Sequence, residues 1–300
     1  MSKTRLDPLG VALVLFGAVC ISFSPVLVKL AGVQASMASI YRQGIGGTTL
    51  LILALATRQR FRVRPGVYGF ALACALVYTV DLECWHRSVV LVGPGLSTIV
   101  VNFQVFFVAA FGALFFRERL RPLFALALFA AMAGIWLLAG VDAPSGRQQA
   151  LPGVALALTA AVAYAGYILL VRHGGGKTGR AEQLPALPFM AMVTLATFGI
   201  VCLELALGPG FDFSRPNRWT LPAMIAYGLG PQALGWLSLL KGLPRVPAGL
   251  GGLLLLLQPT LSFCWDILFF SRETGPWGWA GAALTLCAMY LGMRSARPDA

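Results

Sequence analysis

Long apolar runs separated by short polar breaks make up almost the whole chain, and they determine the predicted elements. A membrane-spanning helix needs about 20 mostly apolar residues. Ten such runs fit between the breaks, at residues 8–30, 37–56, 66–89, 94–116, 123–141, 152–171, 187–207, 219–240, 247–270 and 277–292. The pattern therefore predicts an all-α integral membrane protein with ten transmembrane helices.

A block of small and polar residues near the middle of the chain recurs 154 positions later. The matched residues are Arg87 with Lys241, Gly95-Leu96 with Gly249-Leu250, Gln104 with Gln258, and Pro122 with Pro276. Marks that recur in the same order indicate an internal duplication, which is a common construction of membrane transporters. We therefore divide one membrane domain into a first five-helix repeat at 1–145 and a second at 146–300.

The composition agrees with a membrane protein. Hydrophobic residues make up 58% of the chain and charged residues only 11%, with a mean hydropathy of +0.79, whereas soluble domains are about 25% charged. All six cysteines lie inside apolar runs, and none forms a Cys-x-x-Cys pair. We interpret them as small packing residues rather than disulfides or metal ligands, and we expect no metal and no cofactor.

The distribution of Lys and Arg orients the predicted helices. With a cytoplasmic N-terminus, 16 of the 23 Lys and Arg residues fall in cytoplasmic segments, six fall on the other side, and Arg42 lies inside the second span. Because basic loops stay preferentially in the cytoplasm, both termini are predicted to be cytoplasmic, and five spans per half make the two repeats inverted. This topology accounts for the net charge of +12 without a nucleic-acid partner.

The first apolar run has a second interpretation, because Lys3 and Arg5 ahead of it would also suit a cleaved signal peptide. Against that, the sequence Gly-Val-Ala-Leu at 10–13 recurs at 153–156. We therefore expect the first run to be a retained helix of the first repeat.

The duplicated blocks at 86–122 and 239–276 resemble the paired signature of the drug/metabolite transporter superfamily. The resemblance is to its ten-helix EamA-like exporters, and it extends to bacterial aromatic amino-acid exporters. In that family each half has a basic residue closing a helix, a small-residue turn, an apolar helix with a central proline, and a glutamate before the last helix. The residues that match are Arg87 and Lys241, Pro259, and Glu118 and Glu273. The first half departs from the pattern because Val105 stands where its proline would be.

Polar and aromatic residues at membrane depth are the candidates for a site, because a polar group in hydrocarbon is costly and usually faces the bundle interior. For substrate binding we select Tyr78, Trp85, Asn102, Phe103, Tyr164, Gln232, Trp236 and Gln258. For gates or charge pairs we select Arg42, Asp81, Glu83, Arg87 and Asp266. Glu83 and Arg87 are four residues apart, so they can pair on one helical face. Structural ion pairs and plain packing are the competing interpretations of these two sets.

Three prolines inside spans are predicted helix breaks: Pro25, Pro231 and Pro259. A proline has no backbone N–H, so it frees a carbonyl and permits bending. In a transporter such a break serves either as a gate or as a packing device.

We expect a secondary transporter that exports small amphipathic metabolites across a bacterial-type cytoplasmic membrane by alternating access. The resemblance implies amino acids or related compounds, and the buried aromatic residues make aromatic amino acids the leading candidates, since ring faces can stack. Exporters of organic anions, drugs or sugar-linked metabolites are alternatives. A lipid-modifying membrane enzyme and a non-transporting scaffold are alternatives of other classes, although no catalytic motif is present. The expected partners are a small-molecule substrate and membrane lipid.

Overall fold

The computed structural model describes residues 7–33, 35–59, 65–116, 122–139, 147–174, 186–208, 217–271 and 275–295. Within these ranges every regular element is helical. The first half contains α1 (Pro8–Ser22), α2 (Ser24–Ala31), α3 (Ala35–Ala56), α4 (Pro65–Asn102), α5 (Gln104–Phe116) and α6 (Pro122–Ala139). The second half contains α7 (Arg147–Gly174), α8 (Ala186–Leu207), α9 (Thr220–Tyr227), a π-helix (Gly228–Gly235), α10 (Trp236–Gly242), a 3₁₀ turn (Leu243–Arg245), α11 (Ala248–Leu255), α12 (Leu257–Phe270) and α13 (Pro276–Ser295).

Several of these helices have the length and apolarity needed to cross a membrane. Within the described ranges they are Pro8–Ala31, Gly66–Trp85, Leu151–Arg172, Ala186–Leu207 and Ala248–Phe270. Shorter apolar helices lie at Val100–Phe115 and Pro122–Leu137. The predicted fold class, an all-α membrane protein that crosses the bilayer many times, is therefore confirmed.

One predicted boundary is wrong. The sequence pattern separated spans 66–89 and 94–116, but α4 continues through this region to Asn102, and the interruption falls at Phe103. Pro94 removes one backbone donor, which permits a bend without ending a helix. At the actual interruption, the Phe103 N–H donates to the carbonyl of Val100 at 3.1 Å, the i→i−3 bond of a tightened turn.

The duplicated helices are interrupted at matching positions in the two halves. Leu256 separates α11 from α12, and its N–H donates to the carbonyl of Leu253 at 3.1 Å. An offset of 154 places Leu256 one residue from the break at Phe103. In the second half the break precedes Pro259 by three residues, whereas the first half is interrupted with Val105 at the position that corresponds to Pro259. The proline is therefore not required for the interruption.

A further interruption separates α1 from α2 at Phe23, two residues before Pro25. Backbone and side-chain groups at this break are bonded by α12. Ser262 Oγ donates to the carbonyl of Ser22 at 2.9 Å, and Trp265 Nε1 donates to Ser22 Oγ at 2.8 Å. Neighbouring helices commonly satisfy polar groups at a helix interruption in this way.

The most extensive helix–helix packing in the structure joins the two halves. Helix α4 packs on α7, α3 packs on α8, and α1 packs on α10 and the π-helix, while α6 pairs with α13. Close approach between α1 and the π-helix depends on glycine, because a Cβ placed on Gly17 would lie 2.9 Å from the carbonyl oxygen of Gly235. Helices of both halves of the sequence therefore line the interior between them.

Candidate functional site

Four aromatic side chains meet where α4, α7 and α10 come together, and we call Tyr78, Tyr164, Tyr167 and Trp236 the aromatic cluster. Tyr78 and Tyr167 stack with their ring centroids 4.4 Å apart and an interplanar angle of 16°. Trp236 meets both edge-on at 5.5 and 4.7 Å, and it meets Tyr164 edge-on at 6.1 Å. Each such pair contributes about 0.5–1.5 kcal/mol beyond its buried area, so the rings hold one another in a fixed arrangement.

Arg42 lies buried on α3 beside the aromatic cluster. Its Nε donates to Gln232 Oε1 at 2.7 Å, and its Nη1 donates to the Tyr227 hydroxyl at 3.2 Å. The guanidinium carbon lies 5.8 Å from the centre of the Tyr78 ring and 5.1 Å from that of Tyr227, which is cation–π geometry. These contacts fix the orientation of the guanidinium, and all of them are made by neutral groups.

Gln232 is the residue that connects Arg42 to the second half. It lies fully buried in the π-helix, and its Nε2 donates to Thr194 Oγ1 on α8 at 3.2 Å. The π-helix also contains Pro231, which lacks the N–H that a regular α-helix would use there. Short π-helical stretches occur frequently at functional sites, and this one presents Gln232 to Arg42.

Asp81 follows Tyr78 by one turn of α4 and is 7% exposed. Its carboxylate lies within electrostatic reach of Arg42 and of the hydroxyls of Tyr78 and Tyr164. Among the described residues, however, it makes neither a hydrogen bond nor an ion pair. Burying an ionised carboxylate costs several kcal/mol unless it is paired, so Asp81 is an unpaired carboxyl group beside the aromatic cluster.

Other buried polar atoms around the aromatic cluster lack hydrogen-bond partners within the described part of the chain. They are the Tyr167 hydroxyl and Trp236 Nε1. Gln43 adjoins Arg42 and lies beside Tyr78, and Gln258 lies beside Tyr164. Because roughly nine in ten buried polar groups in proteins are paired, two unpaired groups within the aromatic cluster mark a place equipped to bind a polar ligand.

The structure brings most of the predicted site residues together and separates a few. Those that meet are Tyr78, Tyr164, Gln232, Trp236 and Gln258 from the predicted binding set, with Arg42 and Asp81 from the predicted charge set. Phe103 is 41% exposed and packs on Phe106 at 5.5 Å. Trp85 is half-buried one turn beyond Asp81, and Asn102 is buried at the end of α4. The side chain of Asp266 and the residues Glu118 and Glu273 lie outside the described part of the structure.

The residues selected from the sequence omit four members of the site: Gln43, Tyr167, Thr194 and Tyr227. Gln43 had a usable signal, because an amide next to Arg42 inside an apolar span is costly unless it has a role. Thr194 had none, since threonines in membrane helices commonly bond to their own backbone. Its contact with Gln232 depends on how α3 packs on both α8 and the π-helix.

The predicted pair of Glu83 and Arg87 forms on one face of α4. Arg87 Nη2 also contacts Glu204 Oε1 on α8 at 3.4 Å, so the three side chains join the two halves. The Arg87 side chain is 62% exposed, and exposed pairs of this kind contribute about 0–1 kcal/mol. The group is a contact between halves rather than a major source of stability.

A second ion pair joins the halves at the start of α1. Asp7 caps this helix by accepting from the Leu9 N–H at 2.9 Å, and Arg245 Nη1 donates to its other carboxylate oxygen at 3.1 Å. The hydrogen bond from Arg245 holds the pKa of the Asp7 carboxyl below its ordinary value. Arg172 on α7 binds the same turn by donating to the carbonyls of Leu243 and Val246.

An apolar groove of about 590 Å³ lies between α4, α5 and α7. Its lining residues are Val77, Val80, Phe111, Leu158, Thr159, Val162, Ala163 and Gly166. The hydroxyl of Thr159 donates to the carbonyl of Ala155 in its own helix, so the groove offers no free polar group. It suits hydrocarbon and is distinct from the polar residues around the aromatic cluster.

Comparisons with known proteins agree with this architecture. The model of the EamA-like transporter family matches residues 8–140 and again residues 151–294. A solved crystal structure of a protein superimposes with a TM-score of 0.82 over 96% of this chain and 97% of that one, at 20% identity. At that identity the likeness shows the fold alone. A search of curated proteins found no match. Because the family model covers both halves and nearly the whole sequence, the chain belongs to the EamA-like transporter family and is a multi-pass membrane transporter of small molecules.

Proposed function

We propose that this transporter exports small amphipathic metabolites by alternating access, with amino acids as the substrate class and aromatic amino acids as the leading candidates. The observation that carries the proposal is the aromatic cluster placed directly beside the buried charges of Arg42 and Asp81. An amphipathic substrate needs an apolar surface and a polar anchor within a few ångströms of each other, and this site provides both.

The position of the site supports a transport role. Arg42, Tyr78 and Asp81 come from the first family-matched segment, whereas Tyr164 and Trp236 come from the second. In transporters built from inverted repeats, the substrate lies between the repeats, and rocking of one against the other changes which side the site faces. Helix interruptions at Phe23, Phe103 and Leu256 provide places where such motion can bend a helix.

The chemistry of the aromatic cluster favours a ring-bearing substrate. Ring faces of Tyr and Trp stack on aromatic groups, and the unpaired Tyr167 hydroxyl and Trp236 Nε1 offer hydrogen bonds to a polar group. A second candidate, export of organic anions, is favoured by one observation, the buried guanidinium of Arg42, whose hydrogen-bond partners are neutral.

Counterflow in liposomes tests the proposal. Purified protein is reconstituted into liposomes preloaded with unlabelled compound, and entry of the labelled compound is followed for phenylalanine, tryptophan, leucine, benzoate and a hydrophobic organic cation. We expect saturable exchange of the aromatic amino acids, faster than that of leucine. If benzoate is exchanged and none of the amino acids is, the organic-anion alternative is established. Chemical change of the lipid without exchange of any solute would refute a transport function.

Direction and location need separate measurements. The proposed site of action is a bacterial-type cytoplasmic membrane with both termini in the cytoplasm. Fusions of a reporter that is active only in the cytoplasm to each terminus should both be active. An inactive reporter at either end contradicts the proposed topology. For export, cells that overproduce the protein should lose preloaded labelled substrate faster than cells carrying the empty vector.

A further inference from the structure

We propose that Arg42 and Asp81 together bind the carboxylate and ammonium groups of a zwitterionic amino acid, and that they select against aromatic compounds carrying only one of these charges. The inference rests on the proposed function and specifies which groups of the substrate the site recognises. It gives the two buried charges a binding role, whereas the sequence suggested gates or structural pairs.

The first step of the argument is the incomplete coordination of Asp81. Its carboxylate is buried and makes no hydrogen bond or ion pair within the described residues. An ammonium group supplies three N–H donors and the missing positive charge. The hydroxyls of Tyr78 and Tyr164 lie within electrostatic reach of the same carboxylate, and hydroxyl oxygens can accept further hydrogen bonds from an ammonium group.

The second step is that only two of the three guanidinium nitrogens of Arg42 donate hydrogen bonds within the described residues. Gln232 and Tyr227 occupy Nε and Nη1, while Nη2 makes no hydrogen bond within the described part of the chain. The bonds already present hold the plane of the guanidinium, and a held guanidinium binds a carboxylate with little further loss of conformational entropy. Charge-assisted bonds between Arg and a carboxylate are about twice as strong as bonds between neutral groups.

The third step is the balance of charge. Arg42 and Asp81 interact electrostatically without forming an ion pair, so each retains the capacity to bind a group of opposite charge. A zwitterion satisfies both at once and leaves the site neutral. A ligand with one charge would satisfy one residue and leave the other alone in a low-dielectric interior, which is costly. In an amino acid the two charged groups are attached to one carbon, so they can bridge two charges that lie near each other while the ring lies on the aromatic cluster.

Three ligands with the same ring test the proposal: L-phenylalanine, 2-phenylethylamine and 3-phenylpropionate. Half-saturation concentrations for counterflow are measured in liposomes containing wild type, Asp81→Asn or Arg42→Gln. We expect wild type to bind phenylalanine at least about tenfold more tightly than either singly charged compound, because close buried charge pairs have large coupling energies. Asp81→Asn should lose at least tenfold in phenylalanine affinity without losing affinity for 3-phenylpropionate. Arg42→Gln should instead lose affinity for phenylalanine and 3-phenylpropionate while retaining its affinity for 2-phenylethylamine.

The matched control is Glu83→Gln, which removes a carboxylate two residues from Asp81 on the same helix. Glu83 pairs with Arg87 in an exposed group, so its loss should leave the order of the three ligands unchanged. If Asp81 has only a structural role, Asp81→Asn should weaken the binding of all three ligands equally or leave the binding of all three unchanged. Either result overturns the inference. Equal exchange of phenylalanine by wild type and Asp81→Asn overturns it while the proposed function stands. If wild type exchanges none of the three compounds, the proposed function fails and the inference fails with it.

Discussion

Substituting Gly46 by alanine should destabilise the protein through a single crowded contact. Gly46 lies on α3, one turn after Arg42, and faces the π-helix. A Cβ at this position would lie 2.5 Å from Gln232 Cγ, 2.8 Å from Gln232 Cβ and 3.0 Å from the carbonyl oxygen of Gly228. Because two of these atoms belong to or adjoin backbone, the helices themselves must move apart.

The expected cost of this overpacking is about 2 kcal/mol, which lowers the apparent unfolding temperature by about 3 °C in a chain of this size. Displacement of Gln232 also lengthens its 2.7 Å hydrogen bond with Arg42, so substrate affinity should fall as well. Unfolding in detergent is followed with a thiol-reactive dye, since Cys74 is buried and reacts only when the helices open.

The matched control is Gly199→Ala on α8, where an added Cβ would have nothing within 4 Å. Alanine is the better helix former by roughly 0.5–1 kcal/mol, so this variant should unfold at the wild-type temperature or slightly above it. Equal unfolding temperatures for Gly46→Ala and Gly199→Ala would refute the close approach of α3 to the π-helix. Unchanged affinity in a destabilised Gly46→Ala would refute the role of Gln232 in orienting Arg42.

Three further predictions concern other parts of the molecule. Tyr164→Ala and Gln258→Ala should each lower counterflow while membrane expression stays at the wild-type level, and unchanged rates in both would remove these residues from the site. For Asp7, Arg245 lowers the folded-state pKa, so the contribution of the carboxylate to stability is present above its unfolded pKa of about 3.9 and is lost as the pH falls through the folded value. The difference in unfolding temperature between wild type and Asp7→Asn should therefore be larger at pH 6 than at pH 3, and a difference independent of pH would contradict this. Arg87→Ala should change the free energy of unfolding by less than about 1 kcal/mol, and a larger loss in thermal denaturation would show that its ion pairs are not solvent-screened.

The sequence was sufficient for the helical fold because apolar length is a direct physical requirement of the bilayer. Twenty apolar residues must form a helix to satisfy their backbone groups in hydrocarbon, so the number and order of apolar runs determine the class. Interruptions were harder to locate. The glycine-proline sequence at 93–94 predicted an end that α4 does not have, whereas the break at Phe103 has no proline near it in the sequence.

The site was partly predictable for a related reason. Arg42 and Asp81 stand out because charges inside apolar spans are rare and costly, and Gln232 stands out beside Pro231. Pairwise geometry was not accessible, because Tyr78 and Tyr167 are 89 positions apart and their stacking depends on how α4 packs on α7. Phe103 was predicted to bind substrate because it is an aromatic residue next to Asn102, but its side chain is exposed in the structure.

The packing of α1 against α10 has a consequence for biosynthesis. Asp7 is separated from its partner Arg245 by 238 positions, and chains grow at about 5–20 residues per second, so roughly 10–50 s pass before that partner is made. Throughout this interval the first helix inserted has no protein surface to cover its inner face. Lipid or the insertion machinery must therefore hold α1 in place, and the first repeat, made alone, would be expected to remain incompletely assembled until the second repeat is supplied.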